Sequence, residues 1–244
     1  MEVVIKSMRK LINNIDIWYQ ELGSREPLLM LHPGGHGSVV FEVNQDELSK
    51  HFHLYLSDRR GHGNTPDAEG GYTFDMMTDD TIAFIEQVIG MKTRIFGMSD
   101  GAIIGLLVAQ KRPDLVECLI CAGGVFHYSG WSDGVLSKAE TRFENLLEQK
   151  LHDMHISSPT LTVNDLKSIT TRTLVMVGDD DEPIFEHTLT FYQNLPNGEL
   201  AVVPGTSHGL LVEKPELCNA IMLDFLRNDP VQTYAPIRRR TKVT

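Results

Sequence analysis

Short apolar runs alternate with longer helical stretches through most of this chain, and that alternation restricts the fold more than any other feature. Most runs are continuously apolar, as in strands of a sheet that is covered on both faces. Strands separated by helices form βαβ units, so the pattern predicts an α/β fold with a mostly parallel sheet and helices on both faces. The predicted strands are residues 27–31, 53–57, 93–96, 116–122, 173–177 and 200–203, and the predicted helices are residues 78–89, 102–111, 183–195 and 215–226.

Two segments depart from this alternation. Residues 9–12 and 15–22 are strand-like and flank Asn13-Asn14, which favours a tight hairpin at an antiparallel edge of the sheet. Residues 126–170 contain no clear strand. We interpret them as a small helical lid over the ligand crevice, inserted within a single domain of residues 1–244; an ordinary crossover helix with long loops is the alternative. Apolar residues follow helical spacing at Leu136, Ala139, Phe143, Leu146, Leu147 and Leu151.

Composition excludes some classes of partner. The 244 residues are 41% hydrophobic, which is typical of one globular domain. Their net charge of −11 would repel a nucleic-acid backbone, so we expect no nucleic-acid partner. No apolar run is long enough to span a bilayer and no secretory signal is evident, so we expect neither a membrane partner nor export. The oligomeric state is left open.

The three cysteines favour a reducing compartment. Cys118 and Cys121 have C-x-x-C spacing, but they lie within the apolar strand predicted over residues 116–122. Buried, inert thiols suit that setting better than a redox pair, and Cys218 leaves the count odd. We therefore expect a cytoplasmic protein.

Residues Gly97-Met98-Ser99-Asp100-Gly101 stand between a predicted strand and a predicted helix. A serine at such a turn is held in a strained backbone conformation with its hydroxyl exposed, and the flanking glycines let the strand and helix pass closely. Because G-x-S-x-G also arises by chance, the rest of the chain must supply the partners of a nucleophile.

A serine nucleophile needs a histidine base, which in this arrangement follows it in the chain. Three of the later histidines lie within residues 126–170, and His187 lies within a predicted helix. His208 follows an apolar strand directly, in a loop that begins Pro204-Gly205. His208 is therefore the candidate base, although a lone histidine is more often structural.

The acid that orients the base should follow the preceding strand. Residues 178–183 supply Asp179, Asp180 and Asp181 there. Asp181, just before the next helix, is the first choice and Asp179 the second. A helix N-terminus favours acidic residues for electrostatic reasons alone, which accounts for one or two of the three.

Backbone amides must stabilise the negative oxygen that forms during acyl transfer. One candidate is the amide of Asp100, at the start of the helix after Ser99. The other is the amide of Gly34, with Gly35 as the alternative, in the loop after the strand at 27–31. Gly35, Met98 and Asp100 are also the candidate substrate-binding residues. A phosphate-binding role for this loop is disfavoured, because neither phosphate-loop pattern is present.

These motifs together resemble the α/β-hydrolase family. The resemblance covers about residues 15–226 and includes His32-Pro33-Gly34-Gly35, residues 58–65, residues 97–101, residues 178–181 and residues 205–208, in the family's order and spacing. It implies Ser99 as nucleophile, Asp181 as acid and His208 as base, and a structural role for Asp58 and Arg60. The family more often has His-Gly at His32-Pro33, and its lid is often longer.

We expect hydrolysis of a small carboxylic ester or lactone through an acyl-serine intermediate, without a metal or organic cofactor. Carbon–carbon bond hydrolysis, amide cleavage and perhydrolysis by the same residues are alternatives, as is a non-catalytic ligand-binding protein. A further hypothesis is that the Asp100 carboxylate binds a cationic substrate group. Its alternative is that this side chain turns towards solvent or a neighbouring loop.

Overall fold

The computed structural model describes residues 6–136, 143 and 145–236. Their centre is an eight-stranded sheet with the order β1-β2-β4-β3-β5-β6-β7-β8. The pairs β1–β2 and β2–β4 are antiparallel, and the remaining neighbours are parallel. The predicted α/β class and antiparallel edge hairpin are confirmed. The strands are β1 Lys6–Ile12, β2 Ile15–Leu22, β3 Pro27–Leu31, β4 His53–Ser57, β5 Thr93–Met98, β6 Val116–Ala122, β7 Arg172–Gly178 and β8 Gly198–Val203.

The sheet is covered on both faces because its strands are apolar at successive positions. Leu29 and Leu31 of β3 belong to a core cluster shared with α2, α3, α6 and α7, whereas Leu28 and Met30 belong to a second cluster shared with α1, α8 and α9. Successive side chains of a strand point to opposite faces, so one short apolar run contributes to both cores. The α-helices of the described residues are α1 Glu42–Leu48, α2 Phe74–Phe84, α3 Asp100–Lys111, α4 Asp133–Leu136, α5 Leu146–His155, α6 Val163–Ser168, α7 Phe185–Asn194, α8 Leu210–Glu213 and α9 Pro215–Arg227.

Helix boundaries follow capping groups more than apolar spacing. The hydroxyl of Thr73 accepts a hydrogen bond from the Met76 amide at 3.1 Å, so α2 begins before the predicted residue 78. A single π-helical segment, Ile85–Ile89, continues α2 and ends at Gly90, whose φ is +71°. The short helix α1 was not predicted. None of the helices in the described part of the chain is long and apolar enough to cross a membrane.

Between β6 and β7, the described residues form helices α4, α5 and α6 and no named strand. The apolar residues at helical spacing do not belong to one helix, because Leu136 ends α4 and the Asn145 side chain caps α5 by accepting from the Glu148 amide at 3.0 Å. Ala139 lies outside the described residues. The reading of this segment as a lid stays a prediction.

The predicted burial of the cysteine thiols is confirmed. Cys118 and Cys121 of β6 face opposite core clusters and are 5% and 1% exposed, respectively. Burial raises the pKa of the Cys118 thiol to about 11, and it also raises the pKa of Cys121. All three cysteines are free, so the C-x-x-C spacing reflects strand geometry here.

Candidate active site

The sequence-predicted site residues follow strands that end at one edge of the sheet. Ser99 follows β5, Asp181 follows β7, His208 follows β8, and the loop containing Gly34 follows β3. The carboxyl ends of parallel strands share one edge, which is where open α/β sheets bind ligands. The site is therefore a product of the topology.

Ser99 has the strained conformation expected at a turn of this kind. Its φ is +54° and its ψ is −117°, a combination that non-glycine residues rarely adopt. The Ser99 amide donates to the carbonyl of Ala122 at 2.8 Å, which attaches the turn to β6. A Cβ on Gly97 would lie 2.6 Å from the Ala102 nitrogen, so the close crossing of β5 and α3 requires glycine at this position.

His208 and Asp181 form a direct pair. Nδ1 of His208 is 2.6 Å from Oδ1 of Asp181, whose side chain is only 1% exposed. The amides of Gly178 and Glu182 also donate to the Asp181 carboxylate, at 2.9 and 2.7 Å. This carboxylate is fixed in place and can hold the imidazole in one orientation. Asp179 instead accepts from the Thr206 amide at 3.0 Å.

The other nitrogen of His208 lies near a second carboxylate. Nε2 is 3.5 Å from Oε2 of Glu182, and no hydrogen bond between His208 and the Ser99 hydroxyl is formed among the described residues. Burial lowers the pKa of His208, but Asp181, Glu182 and Asp100 outweigh burial and leave that pKa raised. Catalytic hydrogen bonds are often long before substrate binds.

Two residues after β6 complete this part of the site and were not predicted. A Cβ on Gly123 would lie 3.0 Å from Cε1 of His208, and one on Gly124 would lie 2.6 Å from Cβ of Ala102, beside the Ser99 carbonyl oxygen. Both positions therefore admit only a small residue between the serine turn and the histidine ring. The signal was available, since two consecutive glycines follow a predicted strand.

Glu213, for which no sequence motif predicted a role, fixes the loop that contains His208. Glu213 accepts from the Ser207 amide at 2.7 Å and from the Ser207 hydroxyl at 2.5 Å. The Thr206 hydroxyl donates to the Val203 carbonyl at 2.8 Å. These bonds fix the backbone just before His208 to the end of β8 and to α8.

The loop containing Gly34 lies against the side chain of Asp100, and the role of their two amides as oxyanion donors stays a prediction. A Cβ on Gly34 would lie 3.1 Å from Cγ of Asp100, so the loop after β3 contacts the residue after Ser99. His32 fixes this loop: its Nδ1 is 2.7 Å from the Pro33 carbonyl oxygen, and its Nε2 accepts from the Arg59 amide at 3.0 Å. Burial, ahead of the charge of Arg59, lowers the pKa of His32 well below its usual range, which keeps the ring neutral.

Asp58 and Arg60 make contacts that suit the structural role inferred from the resemblance. Asp58 accepts from the amides of Ser38 and Asn64, at 2.7 and 2.8 Å. Arg60 donates two hydrogen bonds to Asp80, at 2.7 and 2.9 Å, and both side chains of this pair are under 10% exposed. Asp58 and Arg60 thereby connect the turn after β4 to the loop after β3 and to α2.

The Asp100 side chain points to a neighbouring element. It is fully buried, and its Oδ1 is 2.6 Å from Nε2 of His155 at the end of α5. Burial raises the pKa of Asp100, but the charges of His155 and Arg59 outweigh burial and leave that pKa lowered. A cationic substrate group would have to displace His155, so that hypothesis stays a prediction without support from the geometry.

The other two candidate substrate-binding residues differ in position. Gly35 has a φ of +71°, and its Cβ would lie 3.8 Å from Cδ1 of Leu151 on α5. Met98 is 4% exposed and packs in the core cluster shared with α9. Gly35 therefore faces α5, whereas the roles of Gly35 and Met98 in binding stay predictions.

Helix α5 covers this edge through apolar and ionic contacts. Leu151 and Met154 are buried in the core cluster. Nζ of Lys150 is 2.6 Å from Oδ2 of Asp67 and 3.0 Å from the Ala68 carbonyl oxygen. In residues 6–136, 143 and 145–236, no three His, Cys, Asp or Glu side chains are grouped as a metal site requires.

Known proteins resemble this chain in sequence and in structure. A family model described as "alpha/beta hydrolase fold" matches residues 26–167. The chain is 31% identical to a non-heme haloperoxidase of Rhodococcus erythropolis, covering 87% of this chain and 96% of that protein. It is 23% identical to the (E)-2-((N-methylformamido)methylene)succinate hydrolase of Acinetobacter baylyi, covering 93% and 100%. The enol-lactonase from Burkholderia xenovorans LB400 has the same fold, with a TM-score of 0.80 at 16% identity over 91% of this chain and all of that one.

Proposed function

We propose that this chain, which belongs to the α/β-hydrolase family, is a serine hydrolase that cleaves a small carboxylic ester or lactone through an acyl-serine intermediate. The observation that carries the proposal is the 2.6 Å bond between His208 and Asp181 at the sheet edge that also presents the strained Ser99. A fixed carboxylate at Nδ1 holds the imidazole in one orientation and stabilises its charged form, as a general base requires.

In the proposed reaction, Nε2 of His208 takes the proton of the Ser99 hydroxyl as the oxygen attacks the substrate carbonyl. The imidazolium formed is stabilised by Asp181, and it then protonates the leaving alkoxide. Water activated by His208 releases the acid and regenerates Ser99. In the structure, Nε2 of His208 lies 3.5 Å from Oε2 of Glu182. For the first step, Nε2 must instead accept a hydrogen bond from the Ser99 hydroxyl.

The negative oxygen of the tetrahedral intermediates would be stabilised by the amides of Asp100 and Gly34. The Asp100 amide is at the N-terminus of α3, where the helix dipole adds positive potential. The Asp100 carboxylate lies beside the loop that contains Gly34, and its negative charge would destabilise a negative oxygen bound there. Its pairing with His155 offsets that opposition.

Residues 126–170 would serve as the lid. Their α5 contacts the loop after β3, the loop containing Asp67 and the residue after Ser99. Water exclusion beneath such a segment strengthens the electrostatic interactions that the mechanism uses. A cytoplasmic location and a small-molecule substrate, both expected from the sequence, complete the proposal.

A panel of 4-nitrophenyl esters and aliphatic lactones, assayed with wild type and Ser99→Ala, tests the function. We expect turnover of short acyl esters or lactones by wild type and loss of turnover in Ser99→Ala, with the fold unchanged by circular dichroism. Turnover retained in Ser99→Ala would refute the acyl-serine mechanism.

Perhydrolysis is a second candidate function, favoured by the 31% identity with a haloperoxidase. Adding hydrogen peroxide, a carboxylic acid and bromide to the same panel separates the two, because a peracid formed at the site would oxidise bromide to hypobromous acid, which brominates monochlorodimedone as the readout. Halogenation that depends on Ser99 and exceeds ester hydrolysis would assign peracid formation as the main activity.

A further inference from the structure

A second imidazole–carboxylate pair lies beside the first. Nε2 of His155 is 2.6 Å from Oδ1 of Asp100, the same separation as in the pair of His208 and Asp181. The ring centroids of His155 and His208 are each 6.2 Å from that of Trp131. The chain thus arranges two such pairs around one indole, and the proposed mechanism uses only one as a base.

One N–H group and one further ring nitrogen in this arrangement have no protein partner among the described residues. The indole nitrogen of Trp131 is buried without a partner among the described residues, and the whole side chain is 2% exposed. His155 uses Nε2 for Asp100, and the hydrogen bonds of the described residues include none to its Nδ1. Its side chain is 23% exposed, so the ring is accessible. Buried donors are rarely left unpaired, and an acceptor reaches this one only if neighbouring side chains move when a ligand binds.

The charge of His155 decides whether its Nδ1 can donate. A neutral ring that gives its Nε2 proton to Asp100 has only a lone pair on Nδ1, whereas an imidazolium has an N–H on both nitrogens. Burial lowers the pKa of His155, but the carboxylates of Asp100 and Glu182 outweigh burial and the opposing charge of Arg59, and leave that pKa raised. The ring is therefore an imidazolium under more basic conditions than a free histidine.

We propose that Nδ1–H of His155 and the indole N–H of Trp131 bind a carboxylate on the acyl part of the substrate, which makes half-esters of dicarboxylic acids the preferred substrate class. This inference rests on the proposed hydrolysis at Ser99. The two rings are adjacent, and Phe74 supplies an apolar wall with its ring centroid 6.1 Å from that of His155. A carboxylate bound by two N–H donors, one of them charged, is a strong and directional arrangement.

The arrangement disfavours a cationic substrate at the same place. Among the described residues, the buried acceptor left unpartnered beside His155 is Oδ2 of Asp100. The partly exposed carboxylate of Glu182 already lies 3.5 Å from Nε2 of His208. Asp100 also lies against Gly34, whose Cβ would be 3.1 Å from its Cγ. An ammonium group would have to enter between the loop after β3 and α5 and displace His155. An anion would instead meet Nδ1 of the charged His155 ring, which has no partner in the described part of the chain, and the unpaired indole N–H once the ligand opens access to it.

Binding to Ser99→Ala protein tests the inference without turnover. The probes are 4-nitrophenyl hydrogen adipate and its methyl-capped analogue 4-nitrophenyl methyl adipate, measured by calorimetry. We expect the acid to bind about tenfold more tightly than the capped ester, because a charge-assisted hydrogen bond is lost on capping. Adding His155→Gln should reduce that ratio to about twofold or less, and adding Trp131→Phe should also reduce it.

His152→Gln is the matched control, since it removes another histidine from the same helix and leaves the Asp100 pair intact; it should keep the tenfold ratio. Equal binding of the two probes, or a ratio that His155→Gln and Trp131→Phe leave unchanged, would overturn the inference. Tighter binding of 4-nitrophenyl 6-aminohexanoate, lost in Asp100→Asn, would overturn it in favour of a cationic substrate.

The same probes separate this inference from the function beneath it. Ser99-dependent hydrolysis of both esters at equal kcat/KM would leave the proposed function intact and overturn the carboxylate preference. Absence of Ser99-dependent hydrolysis of either ester would overturn the proposed function, and the binding ratio would still decide the inference.

Discussion

Replacing Gly101 by alanine should separate the two backbone donors of the proposed oxyanion site. A Cβ at this position would overlap the Leu31 carbonyl oxygen and would lie 2.6 Å from the Leu31 carbonyl carbon and 2.9 Å from the His32 carbonyl oxygen. Ordinary contact between such atoms begins near ~3.5 Å, so α3 and the end of β3 must move apart by about 1 Å. Gly101 follows the amide of Asp100, and His32 precedes the loop of Gly34, so that movement falls directly between the proposed donors.

The expected loss of activity is about 100-fold in kcat, because displacing a catalytic group by ~1 Å costs roughly that much. Overpacking costs about 1–3 kcal/mol of folding free energy, and the better helix propensity of alanine offsets about 1 kcal/mol. The net loss of roughly 0–2 kcal/mol lowers the Tm by no more than about 8 °C in a chain of this size. The protein therefore stays folded at 25 °C.

The assay is kcat for 4-nitrophenyl acetate at 25 °C, with the Tm followed by circular dichroism. Gly71→Ala is the matched control, because its Cβ would have no heavy atom within 4 Å and its φ is not positive; both kcat and Tm should stay as in wild type. A Gly101→Ala protein with kcat within about threefold of wild type would refute the reasoning that the α3–β3 contact sets the donor geometry.

Three further outcomes are expected. Glu182→Gln should lower the pKa of His208, which Glu182 helps to raise, and so shift the acidic limb of the kcat/KM profile to lower pH; an unshifted or opposite profile would show that Glu182 has no influence on the base. Arg60→Met should lower the free energy of unfolding, measured in urea, by about 3–5 kcal/mol, because it leaves the buried Asp80 carboxylate without its partner. Adding Asp80→Leu should recover most of that free energy; equal losses in the single and double variants would contradict this. Ellman's reagent should react with Cys121 only after unfolding, and prompt reaction in the native protein would contradict its burial.

The sheet was predictable from sequence because each strand carries its signal locally. The run at residues 27–31 is apolar at every position after the proline, as burial on both faces requires. Helix α1 gave no such signal, since only Asn44 and Leu48 of its seven residues are buried and neither marks an apolar stripe. The start of α5 depends on the cap at Asn145, and the spacing of apolar residues does not indicate where a capping side chain acts.

The candidate site was likewise predictable only in part. Ser99, Asp181 and His208 each follow a predictable strand, so the topology places them at one edge. The pair of Asp100 and His155 joins residues 55 apart, and its geometry depends on how α5 packs over the sheet. No spacing rule predicts that packing, which is set by the burial of Leu151 and Met154 against the core.

The most direct test of the account is the site and rate of labelling by a fluorophosphonate, located by peptide mass spectrometry. The account predicts stoichiometric modification of Ser99 in wild type. Labelling should be at least about 100-fold slower in His208→Ala, which lacks the base, and unaffected in His152→Gln. Absence of labelling, modification at another residue, or an equal rate in His208→Ala would contradict the claim that Ser99 is a nucleophile activated by His208.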